Sequence, residues 1–320
     1  MSVTQPGHQR LVSINNFPIY LEEPWDVFPR QETSVVHYVQ GGPRPAVYLL
    51  KHKWVKGSFQ VPVSINPSGD IDPAVKEILL CAEYPLRSME IDTNYTLSNR
   101  YFTDDLTGSN KGFGTYSRLA FDCCGITNLK LNVPNDGPVM LNVEFVGFIS
   151  EGNAAVVPDP TATGMMRKNM SYADCDVYLE TPEYHWDTTR SFSLTIANEI
   201  EPIIALLPSG TLPSALQTDQ PRELSMGTSS IQGEIVYSVD RGVLSTEAES
   251  LPSGGLMGRG LIFDLSGLIL IEFPFAVMHL TEQPIALDLL ERKTVFEGMF
   301  SSGQLDETSL GHLFTFPVEA

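Results

Sequence analysis

Two stretches far apart in the chain carry one pattern. Val55-Lys56-Gly57-Ser58-Phe59-Gln60-Val61-Pro62-Val63 and Ile231-Gln232-Gly233-Glu234-Ile235-Val236-Tyr237-Ser238-Val239 align without a gap. Glycine stands third in both, and apolar residues stand first, fifth, seventh and ninth. The places between are mostly polar. Alternation of period two marks a strand with one buried face. A glycine inside a strand clears space for a bend or a close neighbour. One domain present twice is the organisation this implies.

Further likenesses follow the same order along both halves. Leu11 to Asn15 reads as a first strand, with Phe192 to Asn198 as its counterpart, both ending in Ile-x-Asn. Each is followed by a stretch that reads as a long loop. The first holds Glu22-Glu23-Pro24-Trp25 and Gly41-Gly42-Pro43; the second holds Pro202, Pro208, Pro213 and Pro221. Each loop leads to a glycine strand. Both halves close on an aromatic-x-glycine step, Phe145-Val146-Gly147 and Phe296-Glu297-Gly298. Gly57, Gly147, Gly233 and Gly298 are therefore read as structural glycines.

Between these landmarks one helix is clear. Asp72 is a good N-cap, Pro73 suits the first helical position, and Val75, Ile78, Leu79 and Ala82 share one face before Tyr84-Pro85 ends it. The second half has only a weak equivalent, Ser245 to Leu251. Met89 to Leu97 reads as a strand and Ser98 to Gly114 as a polar loop. Thr127, Leu129, Leu131 and Val133 alternate with Asn128, Lys130 and Asn132, and Pro134-Asn135-Asp136-Gly137 supplies a turn. The returning strand buries Val139, Leu141, Val143 and Phe145 and exposes Asn142 and Glu144. Val139 to Ile149 reads as a long edge needing a covering strand.

Ser150 to Asn169 has the composition of a boundary. The expected organisation is domain one at 1–152, a linker at 153–169 and domain two at 170–320. Each domain is expected to be an antiparallel β-sandwich or partial barrel, so the chain is mainly β with one flanking helix in the first half. The apolar run Leu261 to Leu280 is broken by Asp264, Glu272 and Pro274 and reads as successive strands, not a membrane span. Met1 to Arg10 has no signal-peptide apolar core.

The net charge of −19 divides unevenly. Residues 1–160 hold 12 basic and 17 acidic residues, net −5, and residues 161–320 hold 8 and 22, net −14. Gripping nucleic acid runs on Lys and Arg, so such a chain is a poor nucleic-acid binder, though it could surround nucleic acid. Solubility explains the acidity equally well. Cys81, Cys123, Cys124 and Cys175 form no C-x-x-C and read as reduced, buried thiols.

Signals for chemistry are weak. No histidine pair has zinc spacing. His185-Trp186-Asp187 reads as a strand-end histidine met by a carboxylate. Pro252 to Gly260 is glycine-rich without a following Gly-Lys-Ser/Thr and reads as a mobile surface loop. Glu90 with Asp92, and Asp104 with Asp105, are carboxylate pairs of a kind that an acidic chain supplies by chance. Phe113, Tyr116 and Phe121 near Lys111 and Arg118 read as packing. No catalytic residue, cofactor site or metal site is assigned, and the chain is not expected to be an enzyme.

The repeated order of strand, loop, glycine strand and closing glycine resembles the tail tube proteins of long-tailed bacteriophages. The resemblance is carried by Ser191 to Asn198 with Ser230 to Ile235, and by Phe121-Asp122-Cys123-Cys124-Gly125-Ile126 through the hairpin to Gly147. It covers most of both halves. It implies a β-sandwich flanked by a helix, with strands of neighbouring subunits joined into an inner barrel. It further implies rings stacked into a hollow tube through which DNA leaves the capsid. Two such domains in one chain imply a homotrimeric, pseudo-hexameric ring. The implied setting is a virion tail assembled from host cytoplasm, with tape measure, distal tail and terminator proteins as partners and no membrane. The lumen candidates are Lys56, Ser58, Gln60, Asn128, Lys130, Asn132, Asn142, Glu144, Gln232, Glu234 and Ser238, on a surface expected to be negative on balance. Two other readings stand beside this one. One is another tail, baseplate or secretion-tube component; the other is a β-sandwich carbohydrate-binding module or enzyme.

Overall fold

The structure, a computed structural model, describes residues 10–19, 22–36, 47–66, 68–85, 87–96, 116–149, 168–179, 189–203, 223–239, 257–282, 290–299 and 313–317. In the first half the elements are β1 (Arg10–Ile14), β2 (Phe17–Ile19), β3 (Glu22–Val36), β4 (Val47–Pro62), β5 (Ser64–Ile65), α1 (Pro73–Glu83), β6 (Met89–Thr96), β7 (Tyr116–Val133) and β8 (Met140–Ile149). Then come β9 (Lys168–Asn169), β10 (Cys175–Leu179), β11 (Thr189–Ile203), β12 (Glu223–Val239), β13 (Met257–Leu265), β14 (Ile269–Glu282), β15 (Leu290–Met299) and β16 (Phe314–Thr315). The chain is mainly β, every strand pair is antiparallel, and among the described residues no sheet closes into a barrel.

One helix forms for local reasons. The Asp72 side chain accepts from Ala74 N at 3.1 Å and Pro73 starts the helix, where its missing N–H costs nothing. Ala74, Val75, Ile78, Leu79, Cys81 and Ala82 are buried, against β1, β2, β6 and β7 and also against β11 and β16 of the second half. The Glu83 carboxylate accepts from the backbone N–H groups of Leu313 and Phe314, and so holds the C-terminal strand of the second half on the helix of the first. The weak helical stretch Ser245 to Leu251 lies outside the described residues.

The two halves share one strand order. In the first it is β3-β4-β8-β7-β6-β1, with β2 beyond β1; in the second it is β11-β12-β15-β14-β13-β10. The register repeats as well. Gly57 stands opposite Phe145 and Val55 opposite Gly147; Gly233 stands opposite Phe296 and Ile231 opposite Gly298. On the other side of the glycine strand, Gly57 faces Val27 and Gly233 faces Leu194. The counterpart of β11 is therefore β3. Leu11 to Asn15 corresponds instead to β10, so the expected equivalence of Leu11–Asn15 with Phe192–Asn198 does not hold. Their shared Ile-x-Asn is a local likeness, whereas equivalence is decided by which strands lie on either side.

Several stretches read as loops are strands. Glu22 to Trp25 begins β3, which among the described residues pairs only with β4. Pro24 and Pro29 are tolerable on an edge strand, where a missing donor breaks no inner ladder. Pro202 lies in β11 opposite Leu224. Met257 to Gly260 opens β13 and is no loop. Gly41–Pro43, Pro208, Pro213, Pro221, Ser98 to Gly114 and His185–Asp187 lie outside the described residues. Val139–Ile149 is not an edge either: β8 is paired with β4 on one side and β7 on the other. Leu261 to Leu280 divides into the successive strands β13 and β14 as expected, but the break is a turn at Ser266 and Gly267, and Asp264, Glu272 and Pro274 lie within the strands. Of the expected linker, Lys168 and Asn169 are described. They form β9 on β5, and Met170 N–H donates to Val63 O, so this segment is stitched onto the first half.

Each sheet folds back on itself. In the second half, Phe192 of β11 stacks on Phe263 of β13 with ring centroids 4.5 Å apart, although three strands separate them in the sheet. Phe273 and Phe296 complete this aromatic core at 5.4 Å from one another. In the first half the fold occurs along β7. Its register shifts between Asp122 and Gly125 and again between Ile126 and Asn128, and Cys123 takes a left-handed φ of 48°. Such bulges bend a strand. Before the bend β7 pairs with β6; after it, Asn128 to Val133 pair with β11. That second pairing makes the two halves one continuous sheet of 14 strands.

Candidate functional site

The layer containing the junction runs β3-β4-β8-β7-β11-β12-β15-β14, four strands from each half. Residues directly opposite each other in an antiparallel ladder project to the same face. The registers therefore assemble polar rows that cross the junction. One row reads Gln60, Asn142, Lys130, Thr195, Gln232, Glu297 over six strands. The next reads Ser58, Glu144, Asn128, Ala197, Ser230. A third reads Met140, Asn132, Ser193, Glu234, Val295. Ser238 lies further along β12 on the same face. The opposite face buries Val55, Phe59, Leu129, Leu131, Leu141, Val143, Leu194, Ile196, Ile235 and Phe296.

All eleven residues singled out from the two glycine strands and the hairpin thus share one sheet face. Lys56, Lys130, Glu144 and Gln232 are exposed on it; Ser58, Gln60, Asn128, Asn132, Asn142, Glu234 and Ser238 are half-buried. Lys56 marks the end of the open surface. It stands opposite Val146, which stands opposite Gly125, and both of these are buried. A Cβ on Gly125 would come within 2.9 Å of Ile200 and Leu224, so the far ends of β11 and β12 cover the face there.

Those far ends are anchored by one buried amide. Asn198 Nδ2 donates to Ala82 O and to Ile126 O, each at 3.0 Å, and its Oδ1 accepts from Ser229 Oγ at 2.6 Å. Ala82 O belongs to the last turn of α1, where carbonyls lack helical partners. Helix, β7 bend and β11–β12 arm are fastened at this point.

Some charges on the face are met by basic residues that lie on neighbouring strands. Lys293 Nζ lies 2.7 Å from Glu234 Oε2, and Arg190 Nε donates to Ser238 Oγ at 3.3 Å. Glu297 joins the first row. Glu144 and Glu297 share the face with Lys56 and Lys130, and the register gives further acidic places on it at Glu291 opposite Ser238, Glu282 opposite Lys293, Asp26 opposite Ser58 and Glu22 opposite Gln60, so acidic places outnumber basic ones. Lys293 and Arg190 were not read from the sequence, because only the cross-strand register brings them beside the glycine strand. Their signal was available only as isolated basic residues in alternating segments.

The glycines are explained by contact. A Cβ on Gly233 would collide with the Phe296 ring and approach Ser193 O to 2.7 Å. A Cβ on Gly298 would collide with the Phe273 ring, and one on Gly147 would approach the Cys124 backbone Cα to 3.0 Å. Gly57 holds the place opposite Phe145 that Gly233 holds opposite Phe296.

Of the cysteines, Cys81 and Cys124 are buried, Cys175 is half-buried, and Cys123 is exposed at the bulge, against the expectation that all are buried. Burial pushes the Cys81 thiol up to about 12, with nearby Arg87 opposing, and pushes Cys175 up to about 12; burial also raises the Cys124 thiol well above its ordinary value. These are poor nucleophiles at neutral pH. Phe121 is a core residue, as expected of packing. Among the described residues no cluster of three His, Cys, Asp or Glu could hold a metal, and no helix is long and apolar enough to cross a membrane. No protein-family model matches the chain, and no curated protein matches it.

Proposed function

We propose that this chain is a structural subunit of a hollow tube of the long-tailed phage type, in which three copies close a ring of six similar units and rings stack. The observation that carries the reading is the continuous polar face that crosses the junction of the two halves. A sheet layer with one side packed on aromatic cores and the other side polar along unbroken rows suits the wall of a channel. Eight strands per chain give 24 in a ring of three. At about 4.8 Å per strand the backbone bore is about 37 Å, wider once strands tilt.

A channel for DNA must not hold it. Phosphate attraction grows with every unpaired Lys or Arg. Here Lys293 lies on Glu234, and Lys130 stands two strands from Gln60 in a row that ends at Glu297. Acidic places outnumber basic ones on the face, and with −19 on the whole chain little net attraction is left. The role is mechanical and not enzymatic, the place is the virion tail, and the partners are further copies, the tape measure, distal tail and terminator proteins. DNA passes through without specific binding.

Mass measurement and negative-stain microscopy of the purified protein test this. Trimers, or stacks of trimers with a central hole, are expected. A stable monomer at high concentration with no rings refutes it, and rings that never stack favour a distal tail or baseplate component.

A further inference from the structure

The two halves are joined edge to edge inside one chain, and the repeat says what lies on the other side of each half. At the internal junction the outer edge of β11 receives the post-bend end of β7. Asn128 stands opposite Ala197 and Leu129 opposite Ile196. The counterpart of β11 is β3, and the counterpart of β7 is β14, by the registers already given. Among the described residues β3 pairs only with β4. Likewise β14 runs on past its last pair with β13, Met278 with Met257, to Glu282. Among the described residues, one acceptor edge and one donor end of the kind used internally therefore remain at opposite ends of the layer.

We propose that the C-terminal end of β14 adds antiparallel to the outer edge of β3 in a second copy of this chain. This names the joining surface of the ring proposed above and rests on that reading. The register follows by substitution. Leu194 with Gly233 corresponds to Val27 with Gly57, so Ala197 maps to Arg30 and Ile196 to Pro29. Asn128 with Glu144 corresponds to His279 with Val295, and Leu129 with Val143 to Leu280 with Thr294. The intermolecular pairs are then His279 with Arg30 and Leu280 with Pro29.

A strand end of one copy on an edge of the next is a heterologous contact, which closes a ring when the rotation permits. The internal junction already sets the rotation between neighbouring units, so repeating it continues the same curve. Pro29 has no N–H to give to a ladder on either side. Proline on an exposed edge also discourages unrelated strands.

The test is disulfide trapping in a Cys123→Ser background, which removes the exposed thiol. Arg30→Cys and His279→Cys are made in separate chains, mixed and oxidised. Opposite residues of an antiparallel pair lie within the Cα range a disulfide accepts. The expected result is a covalent dimer in the mixture and in neither variant alone. The double variant should give a ladder of covalent dimers and trimers. Asn128→Cys with Ala197→Cys is the internal control and should give a monomer of altered mobility. Phe28→Cys with Glu282→Cys repeats the trap in case either first variant fails to fold. Rings without cross-links from both traps overturn this junction and leave the tube reading standing. Cross-links within a single chain, or between identical variants, also overturn it. Absence of rings and of cross-links, with the internal control forming, overturns both.

Discussion

Replacing Gly233 by alanine tests the repeated register at its tightest point. Phe296 is fully buried, with its ring 5.5 Å from Phe263 and 5.4 Å from Phe273. Its rim lies over the bare backbone of Gly233. The new methyl would overlap the ring and sit 2.7 Å from Ser193 O, a backbone atom held in the β11–β12 ladder. The ring must move into neighbours that are themselves packed, which costs about 1–3 kcal/mol. Loss of glycine's backbone freedom returns about 0.5–1 kcal/mol. A net loss of about 1–2 kcal/mol is expected by urea denaturation. The diagnostic step is a double-mutant cycle with Phe296→Leu. That change alone weakens the aromatic core, but in its presence Gly233→Ala should cost less, with a coupling of about 0.5–2 kcal/mol. Gly57→Ala with Phe145→Leu should behave with the same sign. Costs that add to within about 0.3–0.5 kcal/mol, or a Gly233→Ala protein as stable as the parent, would refute the packing account and with it the physical basis of the repeat.

Four further outcomes are expected. Asn198→Ala leaves Ala82 O and Ile126 O without their donor and should lower stability by about 1–3 kcal/mol, read from the urea midpoint. Native-state alkylation followed by mass spectrometry should label Cys123 and reach Cys81, Cys124 and Cys175 only after unfolding; early labelling of Cys81 would contradict its burial. Asp174 is held below its ordinary carboxylate value chiefly by Lys168, with Ser171 N–H adding to it, and Glu199 by Thr228 N–H and hydroxyl. A depressed folded value means that this stability is present above the ordinary carboxylate range and lost as pH falls through the folded values, so Asp174→Asn with Glu199→Gln should flatten the acid limb of a stability–pH curve. Finally, Glu144→Lys with Glu297→Lys on the exposed polar face should slow DNA release from assembled particles and recover at high salt; unchanged release with well-formed tubes would place these side chains elsewhere.

What could be read from the chain was whatever local chemistry decides. Asp72-Pro73 announces a helix because capping and a fixed φ act within a few residues. The turn at Pro134 to Gly137 and the alternation on either side of it announce a hairpin for the same reason, and Gly137 takes a φ of 115°. The shared glycine pattern was legible because a steric need for no side chain leaves a glycine in the sequence. What stayed hidden was set at a distance. β3 contains two prolines, and its strand character comes from pairing with β4. β7 extends back to Tyr116, but its bulges around Cys123 break the alternation that would have revealed it. The equivalence of β1 with β10 rests on strand order, and Arg10–Ile14 and Cys175–Leu179 share only valine at the third place and an aliphatic residue at the fifth, too little to be read as a repeat.

The polar face divides along the same line. Which residues alternate away from the core is a property of each strand, so eleven of the residues on this face were named from alternation within their own segments, while Thr195, Ser230 and Glu297 were not. Their company is a property of register. Glu234 looked like a free carboxylate on a lysine-free strand, yet Lys293 sits 2.7 Å away from a strand 60 residues downstream. A half-buried pair at the surface of a sheet adds little stability. Its consequence is electrostatic: it cancels a charge that the strand alone would present to anything moving along the face. The pairing acts locally, beside acidic places such as Glu291 opposite Ser238 and Asp26 opposite Ser58. It predicts that single charge reversals will matter more than the chain's total charge, because each reversal unmatches a partner as well as adding its own sign.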